Sequence, residues 1–173
     1  MTVADTLVAE FEQEALTTRK FLERLPADQL EWRPHPKSMS AGQLAFHIAS
    51  TPGQVSQLAI EDEVPMPDYS RPNPQPADKQ DILTALEESI AKVRAVLPTM
   101  PDERMQAIWR VTNGGREVLA MPRAAMLRNI LLNHWYHHRG QFGVYLRLLG
   151  AKVPSSYGPS GDELPEFLER RGD

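Results

Sequence analysis

Proline placement limits the fold of this chain more than any other feature. Residues 64–76, VPMPDYSRPNPQP, carry five prolines in thirteen positions. Each proline removes a backbone N–H and fixes φ, so the run cannot be helical and extends at ~3.1 Å per residue. Its reach is then about 40 Å, whereas a helix of about 20 residues is ~30 Å long. The segment therefore predicts a crossover along the whole length of a helical layer. Helices on either side of it can run parallel, where a short turn would force them antiparallel.

The remaining prolines punctuate four helical stripes. Over residues 3–25, Leu7, Phe11, Thr18, Phe21, Leu22 and Leu25 recur near helical spacing, with acids in the first turns, until Pro26 stops the pattern. Pro34 and Pro36 make 26–37 a connection that Trp32 pins to the body. A second helix starts at Ser38 or Ser40, either of which can cap it. Its inward stripe reads Leu44, His47, Thr51, Val55 and Leu58, and Pro52 inside it predicts a kink or break. The third helix spans 78–97 through Ile82, Leu86, Ile90, Val93 and Leu97, and Pro98 and Pro101 end it. The fourth runs from Pro122 in its first turn to Leu149, with Gly150 terminating it. Before it, strand-like residues flank Asn113-Gly114-Gly115, which suits a tight hairpin turn. A further short helix is expected around 165–170. The fold class is thus all-α, a four-helix bundle with one long crossover between helices two and three and a small β-hairpin, in a single domain over 1–173.

Composition narrows the function. Hydrophobic residues are 41% and charged residues 24%, as in ordinary globular proteins. No apolar stretch approaches the ~18 residues a membrane helix needs. The N-terminus is acidic instead of basic and then apolar, so a cytoplasmic location is expected. There is no cysteine, which excludes disulfides, thiolate-ligated zinc and a catalytic thiolate of the chain's own. Net charge is −4 with basic residues scattered, so neither nucleic acid nor membrane is an expected partner.

On the fourth helix, Leu127, Leu131, His134, His138, Gln141, Tyr145 and Leu148 form an inward seam. His134 and His138 are one turn apart, ~6 Å along the axis, a separation two imidazoles can close on one ion. His47 holds the corresponding inward position on the second helix. A lone histidine on an apolar face is ordinarily a hydrogen-bonded core residue. Three of them without a ligand would each leave a buried nitrogen unpaired, at ~1–3 kcal/mol apiece. Three imidazoles suit zinc, nickel or ferrous iron over magnesium or calcium, and three protein ligands leave a position open for chemistry. His137 points about 100° away from His138, and His35 sits between two prolines in a loop. The Glu-x-x-His and His-Glu-x-x-His signatures are absent, and Gly158-Pro159-Ser160-Gly161 has the wrong spacing for a nucleophile elbow.

The run from Asn133 to Gln141, NHWYHHRGQ, together with MSAGQLAFH ending at His47, resembles the DinB/YfiT-like family of metal-dependent enzymes. Trp32, Pro34, Ser38 to Ser40 and the closing Tyr157-Gly158-Pro159-Ser160 extend the likeness over nearly the whole chain. The resemblance implies a metal triad of His47, His134 and His138 and a bundle of up-down-down-up order. It also implies a homodimer, and chemistry of the kind seen in relatives that use low-molecular-weight thiols as cosubstrates. A thiol S-transferase acting on a small electrophilic molecule is the expectation, against a hydrolase using metal-activated water or a non-catalytic metal- or ligand-binding dimer. Gln141 is a candidate to orient a metal-bound water or substrate, or else a buried amide bonded to backbone. Tyr145 and Tyr157 are candidates to line the mouth of the site, or packing tyrosines.

Overall fold

A computed structural model describes residues 1–165 and Leu168. The expected short helix around 165–170 falls largely outside the described residues. Within them the chain is mostly helical with a small three-stranded sheet.

Helix α1 spans Val3–Glu23, opened by a capping box in which Thr2 Oγ1 accepts from the Asp5 N–H and Asp5 accepts from the Thr2 N–H. At its other end Lys79 Nζ donates to the carbonyls of Glu23, at 2.7 Å, and Leu25, placing a cation where the helix dipole favours one. Helix α2 spans Ala41–Leu58 and is capped by Ser40, with Gln43 completing a second capping box. Of the two candidate serines, Ser40 is the cap. Helix α3, Lys79–Val96, begins at the Asp78 cap. After a 3-10 turn at Leu97–Thr99 and a short helix α4, Asp102–Gln106, the chain enters the sheet.

The hairpin forms as its turn residues require: β2, Ile108–Asn113, pairs antiparallel with β3, Arg116–Pro122, through Gly114 and Gly115 at φ 56° and 77°. A third strand, β1, Glu63–Pro65, adds parallel to β2. The first residues of the proline segment thus find a sheet partner, and the expected hairpin on a helical fold becomes a three-stranded sheet in a mostly helical one. Pro65 closes the strand, and the next N–H, from Met66, donates to the Thr112 carbonyl. Downstream, Asn73 accepts from Gln43 and Gln75 accepts from Ser40, so the segment is tied to the start of α2.

The last helical run departs from a uniform α-helix. Helix α5, Arg123–Met126, opens it with Pro122 as cap; Leu127–Asn133 is a π-helical stretch; and α6 is His134–Leu148. A π stretch spaces its carbonyls and donors one residue further apart, so the faces after it are out of phase with those before. Gly150 (φ 72°) ends α6 with its N–H on the Arg147 carbonyl and that of Ala151 on the Leu146 carbonyl, a Schellman cap.

The buried apolar residues form one cluster that takes side chains from α1, α2, α3, α6 and the sheet. Two expected stripe members lie outside it: Leu58 is 42% exposed and Leu148 59%. Leu148 is out because the phase change carries the core face of α6 to Trp135, Phe142 and Leu146. Leu58 sits in the last turn of α2, where Ala59 is the buried residue.

Pro52 does not break α2, which runs through it. A proline at 52 deprives the Ile48 carbonyl of its helical donor. The indole N–H of Trp135 supplies a substitute at 2.8 Å, and Thr51 Oγ1 donates to the His47 carbonyl at 2.6 Å. The adjacent Gly53 lets α3 approach: a Cβ there would lie 2.9 Å from Ser89 Cα, and the Gly53 N–H donates to Ser89 Oγ. Gly53→Ala must therefore push backbone apart and is expected to lower stability by about 1–3 kcal/mol. Urea unfolding of the variant measures this, and an unchanged midpoint would show that α3 can yield without strain.

Candidate metal centre

His47 projects from the middle of α2, and His134 and His138 from the first turns of α6. All three are half-buried, on the flank of the core stripe and not on it. Their rings meet edge to face, with centroids 5.3 Å apart for His47–His134, 4.6 Å for His47–His138 and 4.4 Å for His134–His138. One nitrogen from each lies within 4.8 Å of the other two. The structure thus brings together the three residues that helical spacing singled out.

Protonation follows from the neighbours. Burial, then the proximity of His138 and His134, pushes His47 down to about 4. Burial, then His138 and His137, does the same to His134, also to about 4. His138 is lowered too, chiefly by burial and against the bond from Gln141. Near neutral pH the three rings are uncharged, the form that ligates metals.

The second nitrogen of each ring decides which nitrogen is bare. Thr51 donates its only hydroxyl proton to the His47 carbonyl, so toward His47 Nδ1, 3.3 Å away, its oxygen can only accept. A hydrogen therefore sits on His47 Nδ1 and leaves Nε2 free. His138 Nδ1 likewise donates to Gln141 Oε1 at 3.0 Å, baring its Nε2. That nitrogen faces His134 Nε2 at 2.9 Å, so one of the two must carry the shared hydrogen, and His134 is left to do so. His134 Nδ1 is buried with no hydrogen-bond partner among the described residues. A divalent cation fits this arrangement: two rings already present bare Nε2 atoms, and the third holds an unengaged Nδ1 that can take over its proton.

The other site candidates fall in different places. Gln141 is the hydrogen-bond acceptor that orients His138, a role its one-turn spacing permits. Tyr145 is 3% exposed, donates its hydroxyl to the Met39 carbonyl at 3.2 Å and stands edge-on to Trp32. Its contacts are those of a packing residue. Tyr157 is 68% exposed and accepts from Arg139 Nη2 at 2.8 Å, next to Tyr136. It belongs to the contact with α1 and not to the histidines. His137 is exposed with its ring 5.0 Å from that of His138, and exposed His35 accepts from the Lys37 N–H.

Sequence reasoning overlooked Thr51 as a partner of His47, Trp135 as a partner of Ile48, and Arg139. Arg139 is 3% exposed and lies 2.5 Å from the Glu14 carboxylate, though without the alignment of a hydrogen bond. It donates to Thr18 and the Glu14 carbonyl and sits over the rings of Tyr136 and Tyr157. A charged residue that falls on the core face of a helical wheel was the available signal. The wheel drawn without the π stretch placed the core one residue off.

Among the described residues, no helix is long and apolar enough to cross a membrane. The uncharacterized protein YrdA of Bacillus subtilis (strain 168) is 30% identical over 165 residues, 94% of this chain and 93% of the relative. A DinB-like protein from Bacillus cereus ATCC 10987 superposes with a TM-score of 0.67 at 27% identity, over 88% of this chain and 97% of that one. A DinB-like protein, YjoA, from Bacillus subtilis superposes with a TM-score of 0.66 over 87% of this chain and 96% of its own; at 19% identity that likeness speaks for the fold alone. The family model described as the DinB family matches residues 1–169, and the chain belongs to that family.

Proposed function

We propose that the chain is a metal-dependent enzyme that holds one divalent ion with His47, His134 and His138 and transfers a low-molecular-weight thiol to a small electrophilic substrate. The observation that carries this reading is the convergence of three uncharged imidazoles, from two helices, within 4.8 Å of one another. Zinc or nickel suits an all-nitrogen set best, with ferrous iron next. A bound ion of this kind acts as a Lewis acid that lowers the pKa of a thiol or water ligand. The chain's part is to keep the nitrogens bare, through Thr51 and Gln141, and to hold the displaced His134 proton on Nδ1. In the transfer, the thiol's proton passes to solvent water, its sulfur forms the S–C bond and the electrophile's leaving group departs with the electrons of the bond that breaks. Thiol transfer is favoured over hydrolysis because, among the described residues, no carboxylate joins the cluster to serve as general base toward water.

The same reading takes the helices as an up-down-down-up four-helix bundle crossed by the proline-rich segment. Contacts such as Arg94 with Glu12, Gly53 with Ser89 and Phe11 with Trp135 support it. It takes residues 1–173 as one domain and the protein as a cytoplasmic homodimer acting on a small molecule.

Metal content of the protein purified without chelator or metal column tests the ligand set. Ala at His47, His134 or His138 should strip the ion, while His137→Ala should keep it; equal retention in all four would end the assignment. Gln141→Leu, which removes the acceptor for His138, should weaken metal binding by roughly 10–100-fold.

Acidification gives a second check. Unfolded imidazoles protonate near ~6.5, whereas His47 and His134 in the folded, metal-free chain stay neutral until about 4. Between those values the unfolded state binds more protons, so stability is full above pH ~6.5 and declines as pH falls toward 4. The urea midpoint should drop across that window, and less so in a chain with both histidines replaced by Phe. Carboxylates such as Glu10, lowered chiefly by its bond to Arg128, begin to lose their contribution only at the acid end of that window and below it. A midpoint flat over the window in the native chain would refute buried neutral rings.

For the reaction, zinc- or nickel-loaded protein is incubated with an electrophile such as a chlorodinitrobenzene, with and without bacillithiol or mycothiol. Turnover only with thiol is expected. Turnover without it would make the chain a hydrolase, and none in either case would leave a non-catalytic binding protein.

A further inference from the structure

We infer that Trp135 is a positioning residue for the histidine cluster, acting through the backbone carbonyl that Pro52 leaves without a helical partner. This inference rests on the metal reading above and goes on to say what sets the spacing of the ligands. In an uninterrupted helix the N–H of residue 52 would donate to the carbonyl of residue 48. Pro52 has no N–H and is buried inside α2. The Ile48 carbonyl instead accepts from Trp135 Nε1 at 2.8 Å, and both residues are 1% exposed.

Each end of this bond is one residue from a ligand: Ile48 follows His47, and Trp135 follows His134. Phe11 of α1 stacks on a face of the indole, with centroids 5.0 Å apart and planes at 22°, which braces the ring that donates from its edge. A site shared between two helices works only if their relative placement is held to about 0.5 Å. Packing of apolar side chains alone permits small slides and rotations, whereas a bond from the ring of one helix to the backbone of the other does not. Without proline at this position, α2 would close its own ladder and offer the indole no unpaired acceptor. The proline in the helix and the tryptophan inside the HWYHH run are thus two halves of one device.

The test uses the native chain, Trp135→Phe, Pro52→Ala and the double variant, with zinc alone as probe. Three quantities are read: zinc affinity by chelator competition, the urea midpoint of the metal-free chain, and the histidine ring signals of the metal-free chain by NMR. Trp135→Phe keeps an aromatic ring against Phe11 but removes the donor. It should weaken zinc binding by roughly 10–100-fold and lower the midpoint, since a buried carbonyl loses its partner. In the double variant the backbone N–H restored at position 52 takes that carbonyl, so the midpoint should recover while zinc affinity stays at the Trp135→Phe level. A merely structural tryptophan predicts the opposite, with both recovering together, and that result would overturn the inference. Unchanged zinc affinity in Trp135→Phe would overturn it as well. A native chain that binds no zinc strikes the metal reading instead. The positioning role is then judged on the metal-free ring signals of His47, His134 and His138, which should move in Trp135→Phe and stay moved in the double variant. Unmoved signals would refute it.

Discussion

The rest of the structure depends on a hydrogen bond that α2 cannot make with itself. A buried carbonyl without a donor costs about 1–3 kcal/mol, a large share of the 5–15 kcal/mol that holds a domain together. Pro52 creates that liability at Ile48, and the Trp135 indole removes it. Three elements then meet at one point, because the indole donates from its edge to α2 while Phe11 of α1 stacks on its face. The small residues around this joint, Ala45, Ala49 and Gly53, are buried and leave room for neighbouring helices to come close. The liability and its relief are therefore a means of registering helices.

A second tie is electrostatic and lies on the opposite flank of α6. At about 100° per residue, Trp135, Phe142 and Leu146 share the core face; His134, His138 and Gln141 lie to one side of it, and Tyr136 and Arg139 to the other. Glu10 receives both Arg128 amines, at 2.5 and 2.8 Å, and the Tyr136 hydroxyl. Burial, reinforced by that bond to Glu10, raises the Tyr136 phenol well above its ordinary range, so it remains a donor. Arg139 engages Glu14 and Thr18 of α1 and carries Tyr157 of the C-terminal segment. Opening a buried pair of this kind by removing one partner costs about 3–5 kcal/mol, because a charge is left uncompensated. Helix α6 is thus fixed by the indole toward α2 and by guanidinium groups toward α1, and the histidines occupy the flank that neither uses.

Local chemistry made much of this legible in the sequence. Ser40 caps α2, Gly150 caps α6 and Asn113-Gly114-Gly115 turns the hairpin because each acts on backbone within a few residues of itself. The histidine triad was legible for the same reason: a four-residue step on one helix, and a matching inward position on another. What stayed hidden depends on partners far along the chain. Strand β1 exists because Glu63–Pro65 meets Arg110–Thr112, a pairing no local pattern announces. Of the kink or break expected at Pro52, the break is absent, and the donor that relieves the Ile48 carbonyl lies 87 positions further along the chain. Leu148 was assigned inward by counting fours and threes through Leu127–Asn133, where the π stretch invalidates the count. Arg123, which no sequence pattern singled out, is fully buried and donates to the carbonyls of Arg104 and Glu61 and to Asp62 at the base of the sheet.

The π stretch also explains why two histidines one turn apart can be ligands and yet not core residues. With a uniform α-helix from Pro122, the face that buries Leu127 and Leu131 would carry on into His134 and His138, and the imidazoles would be sunk in hydrocarbon. Widening the helix over seven residues hands the core face to Trp135 instead. The rings are left half-buried, dry enough to stay neutral and open enough to be reached. The three differ in how they are held. Thr51 fixes His47 and Gln141 fixes His138, each by a side chain of its own helix, whereas His134 Nδ1 has no partner among the described residues. His134 is therefore the ring whose aim depends most on the helix beneath it. It is also the residue where the π stretch ends and whose neighbour is bonded to α2. The least supported ring stands on the most firmly registered backbone, which is the arrangement a nitrogen with no local anchor requires.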